Sequence, residues 1–353
     1  IVMIKIYGKL SIDESKRKTW VLENVEPHVV IKLKQVFAKI STFATKKFRL
    51  PFQPDAASDL VWFFSRYPFE MSKSVEKELK KLNKQHLGSI KKSEEIKLPS
   101  YITKTRVGLV TGQVLRHYQK VAVDFAEHNK RILLIDEMGL GKTYEGLAMG
   151  LIENKLPLVI VMEPHLQSQW EKKAKSFIKL KTHCVKGNTP YSLPEADIYF
   201  VKYSQLSSWC DVLSRGWVKG IVFDEVQNLR TGLNSEKGKA ALSICQVTDF
   251  VIGMTGTLIY NYGIEVWNIV NIISPGLLGS VDEFTREWCE KDSSGRGVVT
   301  NPDALGSYLR EIQLMIRRTR EDVGQESKQL APETVKVSAD DQLVSDMETL
   351  TSQ

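Results

Sequence analysis

Two stretches of this 353-residue chain carry residues whose types and spacing suit nucleotide chemistry, and two more suit a supporting role. Residues 134–143 read LIDEMGLGKT, after an apolar run and before a helical pattern. Gly139 and Gly141 free the backbone to turn its N–H groups inward around phosphate oxygens. Lys142 brings positive charge to the β- and γ-phosphates, and the Thr143 hydroxyl can ligate Mg²⁺. The helix opening there adds the partial charge of its N-terminus. The string departs from GxxxxGK[ST] at one place, where Asp136 holds the first glycine position.

Residues 221–227 read IVFDEVQ, an apolar strand ending in adjacent acids. Such a pair divides the work: Asp224 holds Mg²⁺, and Glu225 polarises the attacking water as general base. In 254–257, MTGT, the Thr255 and Thr257 hydroxyls flank Gly256, with Asn261 shortly after. They can hydrogen-bond the acids and couple nucleotide state to a second ligand, although the triplet alone is a common turn. Residues 115–119, LRHYQ, lie about one helix ahead of the glycine-rich string. The Gln119 amide can pair bidentately with adenine N6 and N7, although an isolated glutamine is usually a surface residue.

Something must hold these residues together. Apolar runs without alternation fall at 131–135, 158–162, 198–202, 220–223 and 250–254, with helical patterns between them. Short, continuously apolar strands separated by helices predict a parallel sheet buried on both faces, in a doubly wound α/β domain. Ligands of such sheets sit at the carboxyl ends of the strands, which puts the loops after Ile135, Met162, Phe223 and Met254 on one rim. The first hundred residues differ. Strand-like runs at 2–7 and 20–22 and helical spacing of Val30, Leu33, Val36, Phe37 and Ile40, then of Leu60, Phe63 and Phe64, predict a small α+β module. The lysine-rich stretch that follows is either a solvated helix and linker or a basic arm that touches a phosphate backbone.

Composition narrows the class. The chain is 42% hydrophobic and 26% charged, which disfavours disorder. Lys plus Arg number 49 and Asp plus Glu 42, a net charge of +7 that permits a polyanionic partner. No apolar run approaches the roughly 20 residues of a membrane span, so no membrane partner is expected. The four cysteines (Cys184, Cys210, Cys245, Cys289) lack metal-ligand spacing and point to reduced thiols in an intracellular protein.

Taken in order, the four motifs resemble the superfamily-2 helicases, and more narrowly the Swi/Snf-type DNA translocases. The resemblance is carried by LRHYQ at 115–119, DEMGLGKT at 136–143, DEVQ at 224–227 and TGT at 255–257. Asp136 in place of glycine is that family's habit. Further landmarks are VIVMEP at 159–164 with Trp170 downstream, Lys202-Tyr203-Ser204, the stretch from Trp267 to Phe284, and Arg317-Arg318 ahead of 321–323. The likeness covers roughly residues 111–348.

The resemblance implies a RecA-like P-loop lobe, a parallel sheet flanked by helices, over 101–333, with a helical extension at about 262–330. Ahead of it stand the α+β module (1–72) and the basic helix or linker (73–100); 334–353 would open a second RecA-like lobe. The rest of that lobe is missing and is expected in cis beyond residue 353. It would supply an arginine finger, worth about 10³–10⁵ in rate in related nucleotidases.

ATP and Mg²⁺ are the implied cofactors. Arg116, Gln119, Met138, Gly139, Leu140, Gly141, Lys142 and Thr143 would surround the nucleotide, and Thr143 and Asp224 the metal. Lys142, Asp224 and Glu225 would carry the chemistry, and Gln227, Thr255, Gly256 and Thr257 the coupling. Gln227 stands where the family's box usually has His; its amide still donates and accepts. Double-stranded DNA is the implied partner, gripped by its backbone without sequence preference, with Pro164, His165, Lys202, Tyr203 and Ser204 as contact candidates.

The implied function is the first motor lobe of an ATP-dependent double-stranded DNA translocase, the chain alone binding ATP weakly and hydrolysing it poorly. Two alternatives stay open: the motor subunit of a nuclease or restriction complex, and a non-catalytic lobe serving as scaffold for a protein partner. A module ahead of the motor also resembles the annealing-helicase branch, which remodels forked DNA. The aromatic and arginine residues of 48–52 and 62–67 either stack on bases at a junction or form an ordinary small core.

Overall fold

The computed structural model describes residues 5–15, 18–37, 40, 44–258 and 262–325. Contacts divide the chain into a unit of residues 1–318 and a second of 319–353, and every element named below belongs to the first. The strand and helix expected at 334–353, and Asn261, lie outside the described residues.

The amino-terminal module is an antiparallel meander of β1 (Lys9–Asp13), β2 (Thr19–Glu23) and β3 (Lys47–Pro51), covered by α1 (Pro27–Val36) and α2 (Pro54–Arg66). Alternation along the strands puts Leu10, Trp20, Leu22, Phe48 and Leu50 inward, against Val29, Leu33, Leu60 and Phe63 of the helices. Of the strand expected at 2–7, residues 2–4 lie outside the described residues and 5–7 form no strand. Tyr7 donates its N–H to the Pro68 carbonyl rather than to a strand, and pairing starts at Lys9. Phe48 and Phe63 are core residues, whereas Trp62 is 62% exposed and Arg49 is held by Asp13. The small-core alternative therefore accounts for most of those aromatics.

The lysine-rich stretch is one helix, α3 (Lys73–Lys97), capped by the Ser72 hydroxyl, which accepts from the Val75 N–H. Four of its eight lysines pair with glutamates one turn away, as in Lys80–Glu76 and Lys97–Glu94. Leu79 and Leu82 enter the module core and Ile96 enters the core of the large domain, so a single rigid element joins the two.

The large domain is a seven-stranded, all-parallel sheet in the order β12-β4-β9-β8-β5-β7-β6. Its strands are β4 (Arg131–Leu134), β5 (Leu158–Met162), β6 (Thr182–Cys184), β7 (Ile198–Lys202), β8 (Gly220–Asp224), β9 (Phe250–Met254) and β12 (Met315–Ile316). Both faces are buried, as unbroken apolar runs require. Leu158, Ile160 and Met162 pack under α4 (His117–Asn129), α5 (Lys142–Ala148) and α6 (Gln167–Phe177). Val159 and Val161 pack on the other face, against α7 (Leu206–Leu213), α8 (Glu236–Gln246) and α9 (Gly263–Ile273). On that same side α10 (Val281–Trp288), the hairpin β10 (Cys289–Lys291) with β11 (Gly297–Val299), and α11 (Pro302–Glu311) complete the layer.

Two features fix the strand positions. At the amino end of β4, Arg131 donates to the carbonyls of Ile273, Cys245 and Thr248, closing the carboxyl ends of α9 and α8. At the other end the registers Leu134↔Met254 and Met254↔Asp224 align the tips of β4, β9 and β8 in one row.

Candidate active site

The loop after β4 carries the glycine-rich string. Gly139 (φ 91°) and Gly141 (φ 87°) are left-handed, a conformation that side chains resist. A Cβ on Gly141 would also stand 2.7 Å from Gln119 Nε2, so glycine is required there on two counts. Gln119 is buried. Its Oε1 accepts from the Arg116 N–H at 2.9 Å, and Nε2 donates to the Leu140 carbonyl at 3.1 Å. The Tyr118 hydroxyl donates to that same carbonyl at 2.8 Å. The LRHYQ segment and the glycine loop are thus pinned to each other. Beside them opens a cleft of about 290 Å³, lined by Arg116, Tyr118, Gln119, Gly139, Gly141 and Tyr144 among others. Each polar group of the Gln119 amide has one internal partner, and each keeps the capacity for a second.

Lys142 opens α5 and lies half-exposed, its Nζ donating to the Asp136 carbonyl at 2.6 Å. Thr143 follows, its Oγ1 accepting from Lys173 Nζ of α6 at 3.3 Å. Met138 and Gly139 are exposed at the mouth, and Leu140 is buried beneath it.

Asp224 ends β8 and is 8% exposed. Its Oδ2 accepts from the Trp170 indole N–H at 2.9 Å. Burial raises Asp224 to about 6, against the pull of that hydrogen bond; the neighbouring Glu225 charge adds to the rise, and the Lys142 charge opposes it. Glu225 follows in a left-handed backbone conformation (φ 50°). Gln227 Nε2 donates to Glu225 Oε2 at 2.7 Å.

The 255–257 turn lies between these loops. A Cβ on Gly256 would meet Met138 Cγ at 3.2 Å and Lys142 Nζ at 3.8 Å, so the turn faces the lysine closely. The Thr255 hydroxyl donates to the Thr257 carbonyl at 2.9 Å and accepts from the Thr257 N–H at 3.0 Å. That hydroxyl closes its own turn, and Gln227 turns to Glu225, so the structure does not show the expected bonding of Thr255 to the acids.

Of the rim candidates, Pro164, His165 and Ser204 are exposed and Lys202 is half-exposed. Pairing of Met162 with Lys202 sets the two loops side by side. Tyr203 is a correction. It is 3% exposed, and its hydroxyl donates to the Asp224 carbonyl at 2.8 Å, so it braces the acidic loop and offers no face to DNA.

Three site residues escaped the sequence. Trp170 figured there only as a landmark and Arg318 as half of an arginine pair, and Lys173 was not singled out. Arg318 binds Asp136, 182 residues earlier, and that partner explains why an acid occupies the glycine position. No local pattern announces a pairing at that separation.

The chain is 30% identical over 236 residues to a SWI/SNF-related matrix-associated actin-dependent regulator of chromatin subfamily A-like protein 1 homolog of Caenorhabditis elegans, covering 63% of this chain and 33% of that protein. It is 28% identical over 232 residues to an uncharacterised ATP-dependent helicase of Bacillus subtilis, covering 63% of this chain and 39% of the other. The chain thus spans about a third of the length of the curated relatives it matches. The Sulfolobus solfataricus SWI2/SNF2 ATPase core domain shares the fold, with a TM-score of 0.51 at 24% identity, over 65% of this chain and 48% of that one. The model of the SNF2-related domain matches residues 118–340, more than half of the sequence, and the chain belongs to that family.

Proposed function

We propose that the protein is the first lobe of an ATP-driven motor that moves on double-stranded DNA. The observation that carries this reading is the alignment of β4, β9 and β8, which sets the glycine loop, the 255–257 turn and the Asp224-Glu225 pair side by side on one rim. Tyr118, Tyr144, Arg116 and the Gln119 amide line the cleft and would hold the adenine there. The turned N–H groups of 139–143 and Lys142 receive the phosphates. The donor set, a hydroxyl at Thr143 and a carboxylate at Asp224, is hard oxygen throughout and fits Mg²⁺. Bound there, Mg²⁺ neutralises charge on the phosphate oxygens. Glu225, oriented by Gln227, accepts the proton of the attacking water, and Lys142 holds the charge that develops on the phosphate.

The other half of the rim carries Pro164, His165, Lys202 and Ser204. Hydroxyls, a lysine and a helix start suit phosphates and read no bases. A regulator of chromatin and an ATP-dependent helicase among the relatives favour duplex DNA as the track. ATP hydrolysis by the full-length protein, with and without duplex DNA, tests the reading. DNA should stimulate turnover, and Glu225→Gln should lower kcat by about 10²-fold or more with little change in KM. DNA-independent turnover, or full activity in the Glu225 variant, would contradict it.

A further inference from the structure

Arg318 is the last residue of the larger unit and has no bond to Thr143 or Asp224, yet it bonds the root of the glycine loop, α5 and the Tyr118 side of the nucleotide cleft. Pairing carries on past β12: the Ile135 N–H donates to the Ile316 carbonyl, and the Glu137 N–H to the Arg318 carbonyl, both at 2.9 Å. The Arg318 N–H donates to Asp136 Oδ1 at 3.1 Å. Its guanidinium then divides among three elements. Nε donates to Asp136 Oδ1 at 3.0 Å and Nη2 to Asp136 Oδ2, at the root of the glycine loop. Nη2 also donates to Glu145 Oε1 at 3.1 Å, in α5 directly behind Lys142 and Thr143. Nη1 donates to the Tyr118 carbonyl in α4, and the guanidinium lies 5.3 Å from the centre of the Tyr118 ring.

This cluster is sealed. The Arg318 side chain is 12% exposed, and those of Asp136 and Glu145 are 0%. The Asp136 and Glu145 carboxyls share the Arg318 guanidinium. Among the described residues Glu145 Oε2 has no hydrogen-bond partner, so Arg318 is the charged donor that holds this carboxyl. A planar fork with five fixed donors serves these three groups in three directions at once, an arrangement that a compact ammonium does not reproduce.

We propose that Arg318 is a positioning residue for nucleotide: it holds the glycine loop, the helix behind it and the Tyr118 wall of the cleft in one geometry. This rests on the reading of 136–143 as a phosphate cradle. Without the guanidinium, the buried Asp136 carboxyl loses the charged donor that binds both its oxygens, and the loop must shift to solvate it.

Fluorescence titration with Mg·N-methylanthraniloyl-ADP tests the proposal on the intact chain, with three proteins compared well below their melting temperatures. Arg318→Gln should weaken binding by at least about tenfold. Arg131→Gln removes an arginine of similar bonding at the opposite end of β4; it should lower the melting temperature and leave affinity within about twofold. Wild-type affinity in Arg318→Gln, or an equal loss in Arg131→Gln, would overturn the proposal. If Arg318→Gln does not fold, Arg318→Lys decides: a loss of affinity of about threefold or more supports it, and an unchanged value overturns it. A wild-type chain that binds no nucleotide would instead overturn the reading of 136–143.

Discussion

At Asp224, burial raises the carboxyl to about 6 while the Trp170 N–H works the other way. A raised carboxylate binds its proton more tightly in the native state than in the unfolded chain. Its stabilising contribution is complete below about 4 and is lost as pH rises through about 6. At neutral pH the ionised form therefore costs stability, by at most about 3 kcal/mol for a shift of this size. Asp224→Asn should remove that cost. In urea denaturation with EDTA, the variant should gain about 1–3 kcal/mol at pH 7.5 and markedly less at pH 5, while metal-dependent turnover disappears. Equal stability of the two proteins at pH 7.5 would mean that the buried charge is better solvated than its surroundings suggest. Lys142, Thr143, Asp224 and Glu225 were legible in the sequence because each sits in a local string with its own backbone geometry. Trp170 and Arg318 were not, because their meaning depends on an acceptor 54 or 182 residues away.

The strands were legible where they are apolar on both faces. Runs at 158–162, 198–202 and 250–254 coincide with β5, β7 and β9, since continuous burial leaves no room for a polar interruption. The edges were not. Thr182–Cys184 and Met315–Ile316 are three and two residues long and owe their strand form to a neighbour's free edge. Arg131 shows the same dependence on tertiary context, because three carbonyls from two helix ends converge on it. Arg131→Gln should cost about 2–4 kcal/mol, leaving helix-terminal carbonyls without their charged donor. Thermal unfolding measures this, and an unchanged melting temperature would show that water replaces the guanidinium freely.

For the molecule as a whole, one rim carries both candidate surfaces. The β4, β9 and β8 tips hold the nucleotide motifs, and the β5 and β7 tips hold Pro164, His165, Lys202 and Ser204. The +7 charge favours a polyanion without choosing its sequence. Lys202→Ala should therefore weaken duplex binding to the same degree on unrelated sequences and reduce the salt slope of the affinity by about 1. A loss confined to one sequence, or an unaltered salt slope, would take Lys202 out of the backbone contact. The α/β architecture and the order of the motifs were legible because strand tips in a parallel sheet are a fixed place for loops to meet. The joining of module and lobe through α3 was not, because a lysine-rich surface hides the few apolar residues, Leu79, Leu82 and Ile96, that seat it at both ends.

The most direct test is calorimetric titration of the chain with a Mg²⁺-bound, nonhydrolysable ATP analogue, alongside Lys142→Ala. The wild type should bind one equivalent saturably, and the lysine variant should lose at least about tenfold in affinity. No binding by the wild type, or equal binding by the variant, would contradict a phosphate cradle at 139–143.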